Sequence, residues 1–234
     1  MKLQDATVFV TGANRGLGLA FARHALAHGA RKVYAAARDP GSIALPGVVP
    51  IALDITNPSQ VAAAAADCGD VSLVVNNAGI ASVKGLLDED SIAVTQRMME
   101  TNVYGLLRVS QAFAPVLKAN GGGALLNVLS LSSWLSAPVL AGYAVSKAAA
   151  WSVTNGLRNE LRDQGTQVLG LHVGFIDTDL TRGFDAPKLS PEFVVARAFA
   201  ALENGDSEVA IDEFTQQIKR GLSNEPGIYI DGAR

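Results

Sequence analysis

The chain has 234 residues, a length that suits one α/β domain as well as two small ones, and at this size folding buries about 70–75% of the unfolded surface without any staple. A net charge of −3 with no block of like charges argues against a nucleic-acid surface or a polybasic membrane patch. The lone cysteine, Cys68, cannot form an internal disulfide. No run approaches the roughly 20 apolar residues of a spanning helix, and Met1 to Thr7 lacks the apolar core of a signal peptide. A soluble, cytoplasmic protein is expected, and 49% hydrophobic residues suggest surface buried between subunits.

Ala6 to Thr11 is an unbroken β-prone run, as expected of a central parallel strand buried on both faces. It leads directly into Gly12-Ala-Asn14-Arg15-Gly16-Leu17-Gly18 and a helical stretch from Leu19 that stops at Gly29. Strand, glycine turn and helix in that order form a phosphate-binding unit. Glycines permit a tight turn and close approach to a pyrophosphate, and the helix N-terminus offers unpaired N–H groups at the positive end of its dipole. A glycine trio alone also suits an ordinary turn; its placement is what points to a dinucleotide.

Lys32 to Ala37 reads as the second strand. Where an NAD-binding unit carries an acid for the ribose 2′-hydroxyl, this chain has Ala37 and then Arg38, with Arg15 inside the glycine loop. Two guanidinium groups suit a 2′-phosphate and favour NADP(H) over NAD(H), although Asp39 is an alternative partner for Arg38.

Val48 to Asp54 is a third strand ending on a carboxylate, Pro58 to Ala66 a short helix, and Val71 to Val75 a fourth strand ending in Asn76-Asn77-Ala78-Gly79. Asp88 is expected to cap a helix running to Lys118. Within it Asn102 sits among Val103, Leu106 and Leu107, and so is either solvated or functional. Gly123 to Leu129 reads as a buried strand opening into a loop at Ser130.

Tyr143 and Lys147 stand one helical turn apart, about 5–6 Å at Cβ, on a stretch whose alanines and leucines favour helix. A phenol and an ammonium on one helix face, with a hydroxyl from a strand end, can polarise a carbonyl and exchange a proton with it. Alone, the pair more often describes a buried tyrosine beside a solvated lysine.

Thr166 to Val173 is a sixth strand leading to Gly174-Phe175-Ile176-Asp177-Thr178. The irregular stretch 179–191 is expected to shape a pocket. Pro191 to Glu203 and Asp212 to Leu222 read as helices, and Ile228 to Ile230 as a last short strand. The alternation predicts one α/β domain over 1–234, a doubly wound parallel sheet with helices on both faces and ligands at the strands' carboxyl ends. His24, His28 and His172 have no ligand spacing and read as structural or surface residues, and no metal is expected.

Taken jointly, Thr11 to Gly18, Asp54, Asn76 to Gly79, Asn102, Ser130 and Tyr143-x3-Lys147 resemble the short-chain dehydrogenase/reductase family in order and spacing, over almost the whole chain. The resemblance implies a Rossmann fold and an NADP(H)-dependent carbonyl reductase acting on a ketone or aldehyde, reversible as an alcohol dehydrogenase. It implies that Gly12, Gly16 and Gly18, with Asn14, Arg15 and Leu17, cradle the pyrophosphate. Asp54, beside Ile55, would hold the adenine. Asn76, Asn77, Ala78 and Gly79 would line the adenosine and ribose side and steady the central sheet. Gly174, Ile176 and Thr178 would border the nicotinamide, with Thr178 on its carboxamide.

Asn102, Ser130, Tyr143 and Lys147 would be the catalytic four. Lys147, helped by the oxidised nicotinamide, would lower the tyrosine pKa from its ordinary value of about 10 and hold the ribose, Ser130 would bind the substrate oxygen, and Asn102 would support a water relay. Ser132 and Ser133 are alternatives to Ser130. Val173-Gly174 replaces the family's frequent Pro-Gly, the segment after Thr178 is short, and the ending follows the family loosely, leaving homodimer and homotetramer both open. Trp134, Leu135, Val139, Leu140 and Phe175 suggest an apolar pocket, or ordinary core packing. A non-catalytic cofactor sensor or a lyase on the same fold usually lacks parts of this set.

Overall fold

A computed structural model describes residues 1–231; the remainder of the expected 1–234 domain lies outside the described residues. Its strands are β1 (Thr7–Thr11), β2 (Lys32–Ala37), β3 (Val49–Ala52), β4 (Leu73–Asn76), β5 (Ala124–Val128), β6 (Gln167–His172) and β7 (Glu208–Ala210). They form one parallel sheet in the order β3-β2-β1-β4-β5-β6-β7. The helices are α1 (Gly16–Ala27), α2 (Pro58–Asp67), α3 (Ser91–Met99), α4 (Leu106–Ala119), α5 (Ala141–Glu160), α6 (Pro191–Asn204), α7 (Glu213–Gly221) and α8 (Ile228–Asp231).

The unbroken apolar character of β1 follows from burial on both faces. Val8 and Val10 point into a layer with α1 and α6, where Phe21 meets Phe199 edge-on at 5.3 Å. Phe9, one residue out of phase, points into the opposite layer with α2, α4 and α5, and lies 4.6 Å from Phe113. Strand order reverses between β1 and β4, so the loops after those two strands diverge and leave a crevice at their carboxyl ends. This is the Rossmann-type doubly wound sheet expected from the alternation.

Four local expectations are corrected. The fourth strand is Leu73–Asn76: Val71 N still bonds Cys68 O in the preceding turn, and Ser72 makes the first bonds to Thr7 O and Ala124 N at the strand's entry. The helix expected from Asp88 starts at Ser91, because the Asp88 side chain accepts from Gly85 N instead. Before Lys118 it is broken by a π-helical turn, Glu100–Gly105, which carries Asn102. Ile228 to Ile230 is helical: Ile228 packs against Gly221, and the seventh strand is the short, half-buried β7. Among the described residues, no helix is long and apolar enough to cross a membrane.

Candidate active site

A cleft of about 750 Å³ lies at the crevice between β1 and β4. All but Asn76 of the residues expected on sequence grounds to touch a dinucleotide line it: Gly12, Asn14, Arg15, Gly16, Leu17 and Gly18 after β1, Arg38 after β2, Asp54 and Ile55 after β3, Asn77, Ala78 and Gly79 after β4, and Gly174, Ile176 and Thr178 after β6. Ser130, Tyr143 and Lys147 line it too.

The glycine turn is held from below. Thr11 Oγ1 accepts from the main-chain N–H groups of Asn77 and Ala78, both at 3.0 Å, and Asn77 Nδ2 donates back to the carbonyls of Thr11 at 2.8 Å and Gly12 at 3.2 Å. These bonds lock the loops after β1 and β4 together. Gly12 has φ +66°, the left-handed region open to glycine, and a Cβ on Gly18 would fall 2.1 Å from Gly12 O. Helix α1 then starts with no side chain capping its first N–H groups. Across the cleft, Thr178 packs against Gly16.

At the end near β2, Asp39 accepts from Gly41 N at 2.9 Å and does not pair with Arg38. Arg15 forms an ion pair with Asp179 at 2.8 Å. Asp54 accepts from Thr56 N at 2.9 Å and Thr56 Oγ1 at 2.7 Å, bonds that hold its carboxyl below the usual carboxylate range.

Asn76 takes the sheet-steadying part of the expectation and not the lining part: it is buried in the core, donating to Ser110 Oγ at 3.0 Å and to Asn127 Oδ1 of β5 at 2.9 Å. The side-chain alternation along β4 places Asn76 and Asn77 on opposite faces. Asn102 is buried too, so the solvated alternative fails. Its Oδ1 accepts from Ile80 N at 2.8 Å, and its Nδ2 donates to Ile80 O and Ser146 Oγ, both at 2.9 Å. Its neighbour Thr101, rather than Asn102, lines the cleft.

Lys147 is buried, its Nζ donating to Val128 O at 2.8 Å and standing 5.7 Å from the centre of the Tyr143 ring. Of the three neighbouring serines only Ser130 reaches the cleft, its Oγ accepting from Ser132 N at 3.0 Å. Burial pushes the Tyr143 phenol up to about 12, partly opposed by the Ser130 hydroxyl, and pushes Lys147 down to about 8. In the chain without its cofactor, loss of hydration sets the phenol and only the Ser130 hydroxyl opposes it, so the lowering expected from the lysine with an oxidised nicotinamide is not seen here.

Of the two readings of the apolar residues, ordinary core packing describes Trp134 and Leu135, and none of the five lines the cleft. Trp134 and Leu135 pack with Ile218 in a separate cluster, Val139 is exposed, and Phe175 packs on Phe184. Sequence reading placed Thr11 in the glycine motif without giving its hydroxyl, which bridges two loops, a role, and it missed Asp179, which meets Arg15. A threonine at a strand end and an aspartate in an irregular stretch carry no spacing signal of their own.

The family model for short chain dehydrogenase matches residues 6–188. A short chain dehydrogenase from Burkholderia cenocepacia J2315, solved in complex with NADP, is 38% identical with a TM-score of 0.93, covering 97% of this chain and 96% of that one. Galactitol 2-dehydrogenase (L-tagatose-forming) of Cereibacter sphaeroides is 35% identical over 77% of this chain and 75% of its own length. A short chain dehydrogenase/reductase from Burkholderia phymatum in complex with NAD shares the fold, with a TM-score of 0.83 at 24% identity over 94% of each chain. With its glycine turn, serine, tyrosine and lysine gathered on one cleft, this chain belongs to the short-chain dehydrogenase/reductase family of oxidoreductases.

Proposed function

We propose that the chain is an NADP(H)-dependent oxidoreductase of one domain, residues 1–234, that interconverts a ketone or aldehyde and the corresponding alcohol. The observation that carries this reading is the layout of the cleft: a glycine turn and two arginines at one end, and Ser130, Tyr143 and Lys147 at the other.

The residues fit a dinucleotide. Glycine at position 18 leaves room that a Cβ would fill, and the uncapped start of α1 supplies N–H donors for a pyrophosphate. Arg15 and Arg38 would hold a 2′-phosphate, Asp54 the adenine edge, and Thr178 and Lys147 the nicotinamide end. When bound, the nicotinamide supplies or accepts the hydride. The chain's own part is the proton. Ser130 Oγ orients the substrate oxygen, and Tyr143 gives that oxygen its proton during reduction or takes it during oxidation. Lys147 stabilises the phenolate that results. The apolar composition supports a homodimer or homotetramer.

A second reading, preference for NAD(H), has one observation in its favour, since Arg15 is engaged with Asp179. A panel of ketones, aldehydes and alcohols with NADPH and NADH tests both. Turnover with NADPH that vanishes in Tyr143→Phe, while NADPH binding stays intact, is expected. Tight NADPH binding without turnover across the panel would favour a non-catalytic sensor.

A further inference from the structure

The main-chain carbonyl of Ser130 is held by a side chain that the mechanism above does not use. His172, the last residue of β6, is fully buried, with Nδ1 3.0 Å from Ser130 O and Nε2 3.2 Å from Glu208 Oε1 of β7. The Trp134 ring stacks on it at 3.8 Å and 16°, and Trp151 meets it edge-on at 6.4 Å, so the imidazole is fixed in plane and in tilt. A carbonyl only accepts, so the contact with Ser130 requires a proton on Nδ1.

Glu208 anchors more than the histidine. Its Oε1 also accepts from Trp151 Nε1 at 3.0 Å, and its Oε2 pairs with Lys219 of α7. Burial raises the Glu208 pKa, but the donors from His172 and Lys219 outweigh it and hold the carboxyl at about 2, so the anchor stays an anion. Trp151 lies one turn beyond Lys147 on α5. One carboxylate thus reaches the helix of Tyr143 and Lys147 through a tryptophan, and the carbonyl of Ser130 through a histidine. The flanking amides of Leu129 and Leu131 are bonded to β6 and its extension at 2.8 and 3.0 Å, and Ser130 O also accepts from Ser133 N at 3.0 Å, so His172 is the second donor on that carbonyl and the one that ties it to β6 and β7.

We propose that His172, anchored on Glu208, is a positioning residue: by holding the Ser130 carbonyl it sets where the serine hydroxyl sits against Tyr143. The inference rests on the reading of Ser130 and Tyr143 as the pair that handles the substrate oxygen.

Two variants separate positioning from packing. The amide nitrogen of His172→Asn falls near the place of Nδ1 and keeps the donor to Ser130; that of His172→Gln falls near Nε2 and keeps only the bond to Glu208. His172→Gln is expected to lower kcat about tenfold or more with the NADPH Kd unchanged, and His172→Asn by no more than about threefold. In a Ser130→Ala background His172→Gln should cost nothing further, because its effect passes through the serine. Equal losses in the two variants, or an undiminished loss in the Ser130→Ala background, would overturn the proposal. Should His172→Gln not fold, the ring-nitrogen chemical shifts of the wild-type chain decide: a proton on Nδ1 supports the bridge and its absence removes it. Failure of the underlying reading looks different, since Tyr143→Phe would then turn over as fast as wild type whatever the histidine variants do.

Discussion

Lys147 Nζ lies 2.8 Å from the main-chain oxygen of Val128, two residues before Ser130, so the lysine of α5 is tied to the strand that delivers the serine. That bond fixes the spacing of the candidate residues before any ligand arrives. It also places the amine where water is scarce. Burial drives the lysine towards its neutral form and the neighbouring phenol away from its charged one. The pair is therefore oriented by the fold, with the phenol kept neutral and the lysine still charged below about pH 8. The proposed role of the lysine, steadying a phenolate, then belongs to the ternary complex rather than to the chain alone.

Stability should record the buried lysine. Its pKa falls from an ordinary 10.5 to about 8 in the folded chain. Below about 8 the lysine is charged in both states, and the buried charge weighs against folding. Between about 8 and 10.5 the unfolded chain holds a proton that the folded chain has released, so this contribution to stability rises with pH. Tyr143 works the other way, but only above its ordinary 10.0, where the unfolded phenol ionises first. Denaturant melts of wild type and Lys147→Met across that window should show the wild type gaining on the variant, by on the order of 3 kcal/mol at most. A difference that stays flat with pH would mean that the lysine is hydrated.

Cofactor preference should follow the arginines. Arg15 and Asp179 are both well exposed, so their ion pair is worth about 0–1 kcal/mol and gives way cheaply to a phosphate. Asp179→Asn should lower the KM for NADPH by up to about threefold, more at low salt, and leave NADH unchanged. Arg38→Ala should raise the KM for NADPH about tenfold through one lost charge-assisted hydrogen bond. Steady-state kinetics with both cofactors check this, and equal changes for the two would refute the 2′-phosphate assignment.

The layout of the cleft was legible because backbone chemistry leaves a trace in sequence. Gly12, Gly16 and Gly18 mark the turn, Arg38 follows directly on the end of β2, and Tyr143 and Lys147 share a helix face by spacing alone. Side-chain bonding between distant segments leaves no such trace. Nothing in Asn76-Asn77 says that the first amide enters the core and the second the cleft until the β4 register is known. Asn102 looked ambiguous because a regular helix was assumed; the π-helical turn shifts its phase and buries it. The apolar residues Trp134 and Leu135 were placed near the substrate by proximity in sequence, yet the one-turn helix at Leu131–Ser133 carries them into another cluster. His172 read as structural, and its reach to Ser130 appears only once β6 lies beside the end of β5.

Gly18→Ala should close the cradle. The added methyl would sit 2.1 Å from Gly12 O and 2.5 Å from Asn77 Nδ2, both parts of the locked pair of loops rather than flexible side-chain ends. The loops must separate, at a cost of about 1–3 kcal/mol. Thermal melts should show that loss, and fluorescence titration a weakening of NADPH binding by tenfold or more on the same scale. Unchanged NADPH affinity in a folded variant would place the pyrophosphate elsewhere.

Asn102→Asp tests whether the buried amide is needed as a donor. In the wild type Nδ2 donates to Ile80 O and to Ser146 Oγ, while Ser146 Oγ donates onward to Tyr143 O at 2.7 Å. An ionised aspartate presents an acceptor where that donor stood, facing the Ile80 carbonyl and drawing the Ser146 proton away from α5. Leaving those groups unsatisfied should cost about 1–3 kcal/mol or more, and kcat should fall because the first turn of α5, which carries Tyr143, loses its tether. Acidification supplies the missing hydrogen: protonated, the side chain can donate again. The folded state favours that neutral form, so the gap in stability from wild type should narrow as pH falls and widen as it rises. Melts of both chains across the acid range would show it, and a gap independent of pH would mean that the site needs only the shape of the asparagine.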